Sequence, residues 1–521
     1  MKKNFILLGL CLLFLLLLTN CPEKLENPDD DGNDNGNTDP GEIEPEIDLI
    51  DKIIAKINEQ EGTLDNPAFL KLEIDLGIMS NPESNWKIIL EVIEKTEKYI
   101  DLDLSNCTLG LQSYSYFFPD FAVSTGKDKI VSLILPDTVT DITGGTGESN
   151  SAFKYFTNLK HASGENIIHI GNWAFYNCTK LEEANFPNVT EINLGVFYNC
   201  INLKEANFPE AVEIISNAFR NCKNLVSVSA PKVETIGTLA FYDCTSLAEI
   251  NLSAVTKIYQ NAFGNCLNLA KADFPLVITL GNQAFDNCIK LETVLFPKVE
   301  VIHSRTFFNC VNLKETDFSS AVHIADHAFY NCTSLEEIIF PKAMIIEPMS
   351  FGNCTSLTTA RFLADPDPAK DSNSQPIHPL SPWLKQEPTL PCVSESLLFY
   401  NEAFNGCTSL ITLDVRNAWN VYFAGNALNN IGETLVIYLY DDDGVLDNNG
   451  EIKPNYTGKS YGHPQLDNYL GAVSLKLIKI IAPNGTQLEK FLPNKAGYPG
   501  LFSDIKSRYS GNVTVMPIER N

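Results

Sequence analysis

Fourteen of the 521 residues are cysteines, and nine of these follow one another at an unvarying interval of 22: Cys178, Cys200, Cys222, Cys244, Cys266, Cys288, Cys310, Cys332 and Cys354. Thiols at regular spacing can form disulfides, ligate zinc or serve as nucleophiles, and each use demands particular neighbours. A fixed period of this size stacks one supersecondary unit on the next. Equivalent Cα atoms then stand about 5 Å apart, but parallel side chains hold the Cβ atoms at about the same distance, beyond the ~3.5–4.5 Å a disulfide requires. No His or second Cys lies at ligand spacing within a unit, which argues against zinc. The expectation is a row of buried free thiols acting as small apolar fillers.

Other candidate chemistry fares no better. The chain has no G-x-S-x-G, no P-loop, no H-E-x-x-H and no Cys and His pair in a triad-like context. His323 and His327 are four apart, yet they fall in a return segment rather than on a predicted helix, so the spacing reads as accidental. Asp441, Asp442, Asp443 and Asp447 lack the Gly and Glu of an EF-hand loop. Paired carboxylates abound by chance in so acidic a chain and imply no enclosed cleft. We therefore expect no catalytic residue, no metal site and no cofactor. The net charge of −27 also argues against nucleic acid, because no basic stripe is available to displace counterions from phosphates.

The elements that hold the cysteines explain the period. In the unit from Ala174 to Gly195, Leu181, Ala184 and Phe186 sit at strand spacing, Pro187 stops the strand, and Val189 and Ile192 start a return. Ala-Phe, with Cys three residues after the Phe, completes the turn. One such unit buries too few side chains to offset the entropy of ordering its backbone, so stability must come from stacking through a parallel hydrogen-bond ladder. The repeat enters before the first cysteine of the row: Ala152, Phe153, Phe156 and Leu159 take the places of Ala174, Phe175, Cys178 and Leu181. VSLILPDTVTDI, from Val131 to Ile142, carries the same pattern with one residue more.

If Leu and the third and fifth residues after it point inward, the second and fourth point out. Along the chain these outward pairs are Glu183 and Asn185, Glu205 and Asn207, Ser227 and Ser229, Glu249 and Asn251, Lys271 and Asp273, Thr293 and Leu295, Glu315 and Asp317, Glu337 and Ile339, Thr359 and Arg361. The surface is acidic and hydrogen-bonding, with two apolar positions in its later half. It suits a protein partner with a basic surface. An exposed sheet face must also be polar for solubility alone, and the residues by themselves leave both readings open.

The pattern L-x-x-x-x-F-P with V-x-x-I and then A-F-x-N-C resembles the BspA-like, or Treponema-type, leucine-rich repeats. The resemblance runs from about residue 130 to 361 and resumes at AFNGCTSLITLDV, Ala403 to Val415. Repeats of that family usually have 23 residues, against 22 here, and the missing residue lies in the return segment. The resemblance implies an α/β repeat solenoid, a leucine-rich-repeat right-handed superhelix with a parallel sheet on its concave face and a cap at each end. It also implies a bacterial cell-surface protein whose repeats bind other proteins, often in adhesion to host tissue or extracellular matrix.

The flanks complete the organisation. Lys2 and Lys3 precede an apolar run from Phe5 to Leu18, the length of a signal-peptide core and short of a spanning helix. Leu18, Thr19, Asn20 and Cys21 look like a lipobox, although Asn20 departs from the usual small residue; Cys21 is the expected lipidation site, anchoring the chain to the bacterial outer membrane. Residues 21–46 read as a disordered acidic tether. Residues 47–128 form an expected N-terminal cap, with one helix through Leu49, Ile50, Ile53, Ile54 and Ile57. A second helix is capped by Asn81 with Pro82 in its first turn. Repeats occupy 129–362, a Pro-rich insertion holding Trp383 and Cys392 occupies 363–402, the last repeat 403–415 and a C-terminal cap 416–521. A structural envelope lipoprotein without a dedicated ligand is the alternative reading, and a hydrolase hosted by the insertion or the C-terminal region is a weaker third.

Overall fold

The computed structural model describes residues 45–79, 81, 83–110, 116–117, 124–145, 151–362, 396–415, 420–423, 427–428, 430–431, 434–438, 477–482 and 512–517. The leader, Cys21, the tether, Trp383, Cys392 and the Asp441–Asp447 stretch lie outside the described residues. The chain divides into two compact units, 1–49 and 50–521. Of the first, the described part is the beginning of helix α1 (Pro45–Asn58).

Each coil of the repeat has three sides. The first is a three-residue strand such as Glu183–Asn185, Glu205–Asn207 or Ser227–Ser229. In most coils Pro at the position of Pro187 bars its continuation, because a proline has no N–H to continue the ladder; Ser253 and Ser319 stand there in two coils. The second side is a two-residue strand such as Glu191–Ile192 or Glu213–Ile214. The return layer is thus a second parallel sheet, and from residue 151 to 362 the described coils carry no helix. Strands of successive coils pair in parallel with a shift of one period, as in Ala206↔Val228 and Ile214↔Ile236. The third side is the Ala-Phe-x-Asn-Cys turn, which has its own inter-coil ladder: Phe197 N–H donates to the Ala218 carbonyl at 2.8 Å, and Asn199 N–H to that of Arg220 at 2.8 Å.

The core lies between these sides. Leu, Phe and Cys of each coil are buried to within a few per cent, as are the Ala or Val preceding Phe; the apolar residue at the centre of the strand is buried too, save for the half-buried Ile250. Phe rings of successive turns stack, with centroids 5.1–5.6 Å apart from Phe175 through Phe404.

The cysteines sit where the pattern places them, as free buried thiols. The structure adds what the thiols do. From Cys200 to Cys407, each Sγ–H donates to the carbonyl of the Phe in the preceding coil at 3.0–3.2 Å; Cys178 does so at 3.6 Å. The same carbonyl accepts the amide of its own coil's cysteine, as Phe197 does from Cys200 N–H at 3.1 Å.

The insertion does not disturb the stack. Thr412–Asp414 pairs directly with Thr359–Arg361, Phe351 N–H reaches the Ala403 carbonyl at 2.9 Å, and Cys407 bonds the Phe351 carbonyl. The coil at 403 therefore rests on the coil at 351 as any two neighbours do. Beyond it, Thr434–Tyr438, Leu477–Ala482 and Asn512–Pro517 add further parallel strands to the same sheet.

At the other end, the separate sheet that holds Glu183–Asn185 continues through Ile130–Ile134 to β2 (Ile100–Asp103) and β1 (Ala68–Lys71), all parallel. The outer edge of β1 is closed by a side chain. Gln60 donates Nε2–H to the Phe69 carbonyl at 2.9 Å and accepts Phe69 N–H on Oε1 at 2.7 Å, taking the place of a neighbouring strand. The second helix, α2 (Asn85–Thr96), buries Trp86, Ile89, Leu90 and Ile93 as the sequence pattern requires, and Val92 with them. Its cap is Ser84, whose Oγ accepts Lys87 N–H, rather than Asn81. Asn81 is occupied in the preceding turn, where its Oδ1 takes Glu83 N–H at 3.0 Å and its carbonyl takes the Ser84 hydroxyl at 2.8 Å.

Candidate protein-binding face

The outward residues of the three-residue strands form two rows, one on each side of a buried central residue. Glu183 and Asn185, Glu205 and Asn207, Glu249 and Asn251, and Lys271 and Asp273 are exposed around buried or half-buried Ala184, Ala206, Ile250 and Ala272. Glu315 and Glu337 are exposed, and Asp317 and Arg361 half-exposed. Parallel register with a one-period shift sets equal positions side by side, so Glu205 stands next to Glu183, and Ser227 stands between Glu205 and Glu249. The second row runs Asn207, Ser229, Asn251.

These residues fall into three hydrogen-bonded groups. Glu183 through Asn251 belong to the sheet that begins at β1; Lys271, Asp273, Glu315 and Asp317 belong to a separate three-stranded sheet; Glu337 and Arg361 belong to a third. The stack of Phe rings and the turn ladder run across both junctions, for instance Phe241 N–H to the Ala262 carbonyl at 2.8 Å.

Like charges side by side oppose the fold, and neighbouring cations offset part of that. His161 Nδ1 lies 3.3 Å from Glu183 Oε2, Lys204 Nζ 2.5 Å from Glu182 Oε2, Lys314 Nζ 3.4 Å from Glu292 Oε2, and Arg361 Nε 3.0 Å from Glu337 Oε1. The hydrogen bond from Lys204 holds the Glu182 carboxyl below its ordinary range. All of these pairs are substantially exposed, where an ion pair contributes little to stability. The later half has another character: Leu295 stands next to Asp317 in one sheet, and Ile339 next to Arg361 in the following one.

The face also extends beyond the residues the repeat pattern singles out. Asp101 pairs with Ser132, Ser132 with His161, and His161 with Glu183, so the row reaches into the segment expected to cap the repeat. Burial raises the Asp101 carboxyl above its ordinary range, against the nearby His161 and Lys160. His161 and Ser163 were open to the same inward-outward rule, applied from Leu159.

The thiol row offers no nucleophile to this surface. Burial drives the ionisation of Cys200, Cys222, Cys266, Cys310, Cys332 and Cys407 far above the ordinary thiol range. His323 and His327 contact different carboxylates, Glu347 at 2.7 Å and Asp326 at 3.1 Å. Among the described residues no cluster of three or more His, Cys, Asp or Glu is placed to hold a metal ion.

Residues 146–270 and 256–367 match the family model of the BspA type leucine rich repeat region, in six copies. This stretch consists of BspA-type leucine-rich repeats. Solved structures similar to the chain include a leucine-rich repeat protein from Bacteroides ovatus, at 20% identity over 60% of this chain and 72% of that one, TM-score 0.41. A leucine rich cell surface protein from Faecalibacterium prausnitzii is 21% identical over 58% and 77%, TM-score 0.34. The T. pallidum leucine rich repeat protein is 27% identical over 25% and 77%, TM-score 0.22. No curated protein matches the chain at a significant level. The matched BspA family is a repeat scaffold, not an enzyme family. Among the described residues, no helix is long and apolar enough to cross a membrane.

Proposed function

We propose that this BspA-type repeat protein is exported, lipid-anchored through Cys21 and displayed on the bacterial surface, where its exposed sheet face binds another protein in adhesion to host matrix or to other cells. The observation that carries the reading is the pair of rows on that face. Each coil contributes two solvent-facing side chains at fixed spacing, and stacking the coils makes a broad surface whose chemistry changes along its length. Glu183, Asn185, Glu205, Asn207, Glu249, Asn251, Lys271, Asp273, Glu315, Asp317, Glu337 and Arg361 are its proposed contact residues. The excess of carboxylates favours a partner with a basic surface. No catalytic role belongs to this reading.

Protease added to intact cells tests exposure: shaving should remove the repeat region. Binding to a panel of matrix proteins should be saturable, salt-sensitive and weakened at least about tenfold by reversing Glu249, Glu315 and Glu337 together. Protection of the chain on intact cells, or the absence of any saturable partner, would instead favour a structural envelope lipoprotein without a dedicated ligand.

A further inference from the structure

We infer that the cysteine row makes assembly of the solenoid conditional on reduced thiols: the coils form only from a reduced chain, and once formed they keep the row out of reach of oxidants. The geometry supports both halves. Each sulfur from Cys200 to Cys354 is aimed at a backbone carbonyl of the preceding coil, 3.0–3.2 Å away, rather than at the neighbouring sulfur, while Cys407 bonds the Phe351 carbonyl at 3.0 Å with the Cys354 thiol also beside it. The row is buried to 3% exposure or less throughout. Phe rings three residues before each cysteine stack from coil to coil with centroids 5.1–5.6 Å apart from Phe175 through Phe404, and the parallel strands of neighbouring coils lie about 4.8 Å apart. Side chains leaving parallel backbones at that spacing cannot bring Cβ atoms to the ~3.5–4.5 Å of a disulfide. A bridge between neighbours would have to pull two coils together, breaking the thiol–carbonyl bond and the ring stack on the same turn.

The uncoiled chain has no such restraint. Each neighbouring pair of cysteines from Cys178 to Cys354 closes a loop of the same 22 residues, at a modest and nearly equal loop entropy. With a small-molecule disulfide such as oxidised glutathione, a row thiolate attacks one sulfur, releasing one glutathione thiol and forming a mixed disulfide. A neighbouring row thiolate then displaces the second glutathione thiol. Two row thiols lose two electrons and two protons, and the oxidant gains both as two thiols. Exchange requires thiolate and access. The coils withhold access by burial, and burial also disfavours ionisation of these thiols. A chain delivered to a disulfide-forming compartment must therefore coil before its thiols are oxidised.

Two measurements on the full chain test the two halves. Folded protein is held with oxidised glutathione, and the modification of each row cysteine is followed by alkylation and peptide-resolved mass spectrometry, so that Cys11, Cys21 and Cys392 are read apart. The row should react at least about a hundredfold more slowly than in urea, where protection by structure is lost. Modification of Cys222 to Cys332 in the folded chain at a rate close to that in urea would overturn the protection. Separately, the chain is synthesised in a cell-free system with either dithiothreitol or oxidised glutathione and then challenged with protease. A resistant core should form under reducing conditions and be lost, about tenfold or more, under oxidising ones, with dithiothreitol restoring it. Equal yields of resistant core in both, or a core that contains disulfides between row neighbours, would overturn the conditional assembly.

Discussion

Replacing Asp243 by Asn should stabilise the solenoid, because it repairs the one break in a chain of amides that runs along the turn side of the described coils from Asn177 to Asn331. The residue before each cysteine of the row is Asn in every coil from Asn177 to Asn353 except at Asp243, and all adopt the left-handed conformation with φ of 59–63°. Asn tolerates that conformation better than most residues. Its side chain then donates to its counterpart one coil earlier: Asn287 to Asn265 at 2.8 Å, Asn309 to Asn287 at 2.6 Å, Asn331 to Asn309 at 2.6 Å. Asn199 donates to Asn177 and Asn221 to Asn199 in the same way. Asp243 accepts from Asn265 at 2.7 Å but, when ionised, has no proton for the Asn221 oxygen on its other side.

An amide there supplies the missing bond, worth about 0.5–1.5 kcal/mol net. It also relieves a half-buried carboxylate of its desolvation. Against this, the Asn265 bond loses its charged acceptor, and charge-assisted bonds are roughly twice as strong as neutral ones. That loss is about as large as the new bond, so the net gain rests on the relieved desolvation and is small, about 0.5 kcal/mol or less. Asp243→Ala separates this account from a simple charge effect. It removes the Asn265 bond and places a Cβ residue without a local hydrogen bond at positive φ, for a loss of roughly 2–3 kcal/mol. Urea unfolding followed by circular dichroism reads both, and slowed hydrogen exchange at residues 221, 243 and 265 locates the gain. If Asp243→Asn falls in stability alongside Asp243→Ala, the turn needs the carboxylate itself and the amide-chain account fails.

Three further outcomes are expected. Leu239 holds φ 58° four residues before Asp243, and Leu239→Asn should raise the urea midpoint by the equivalent of about 1 kcal/mol as the left-handed strain is relieved; an unchanged midpoint would mean that Leu239 packing offsets its strain. Gln60→Ala should uncover the Phe69 backbone on the edge of β1, cost about 1–2 kcal/mol, and produce association that grows with concentration in sedimentation velocity. A variant that stays monomeric at unchanged stability would show that α1 closes the edge without Gln60. Cys266→Ala should cost about 1–2 kcal/mol for the sulfur's volume and its bond to the Phe241 carbonyl, while Cys266→Ser, keeping a donor for that carbonyl, should cost no more. A much larger loss for Ser would show that the carbonyl cannot serve a hydroxyl.

The repeat was legible because one physical requirement is written many times over. Leu181, Ala184 and Phe186 alternate as a buried strand must, Pro187 stops it, and the pattern returns 22 residues later, so chance errors average out. The buried thiols, the outward pairs and the resumption of the stack at Ala403 all follow from that register. The helix at Trp86 was legible by its apolar face but not by its cap. Asn81 and Ser84 are both good capping residues, and the choice between them rests on which one a neighbouring turn has already engaged. The Asn column was present in the letters but carried no reason until the turn's φ and the inter-coil amide bonds were known.

The sequence by itself determined the period, the inward and outward sides of each strand, and hence which residues face solvent, because all of these depend on local alternation and its repetition. Only the tertiary structure decided what lies across a coil junction. It joined β1 and β2 to the repeat sheet, carried the outward row back to Asp101, laid the return strands into a second sheet, aimed each thiol at a Phe carbonyl, and turned isolated asparagines into a chain. These are contacts between residues 22 or more positions apart, set by the register of one coil on another, and no short window of sequence contains them.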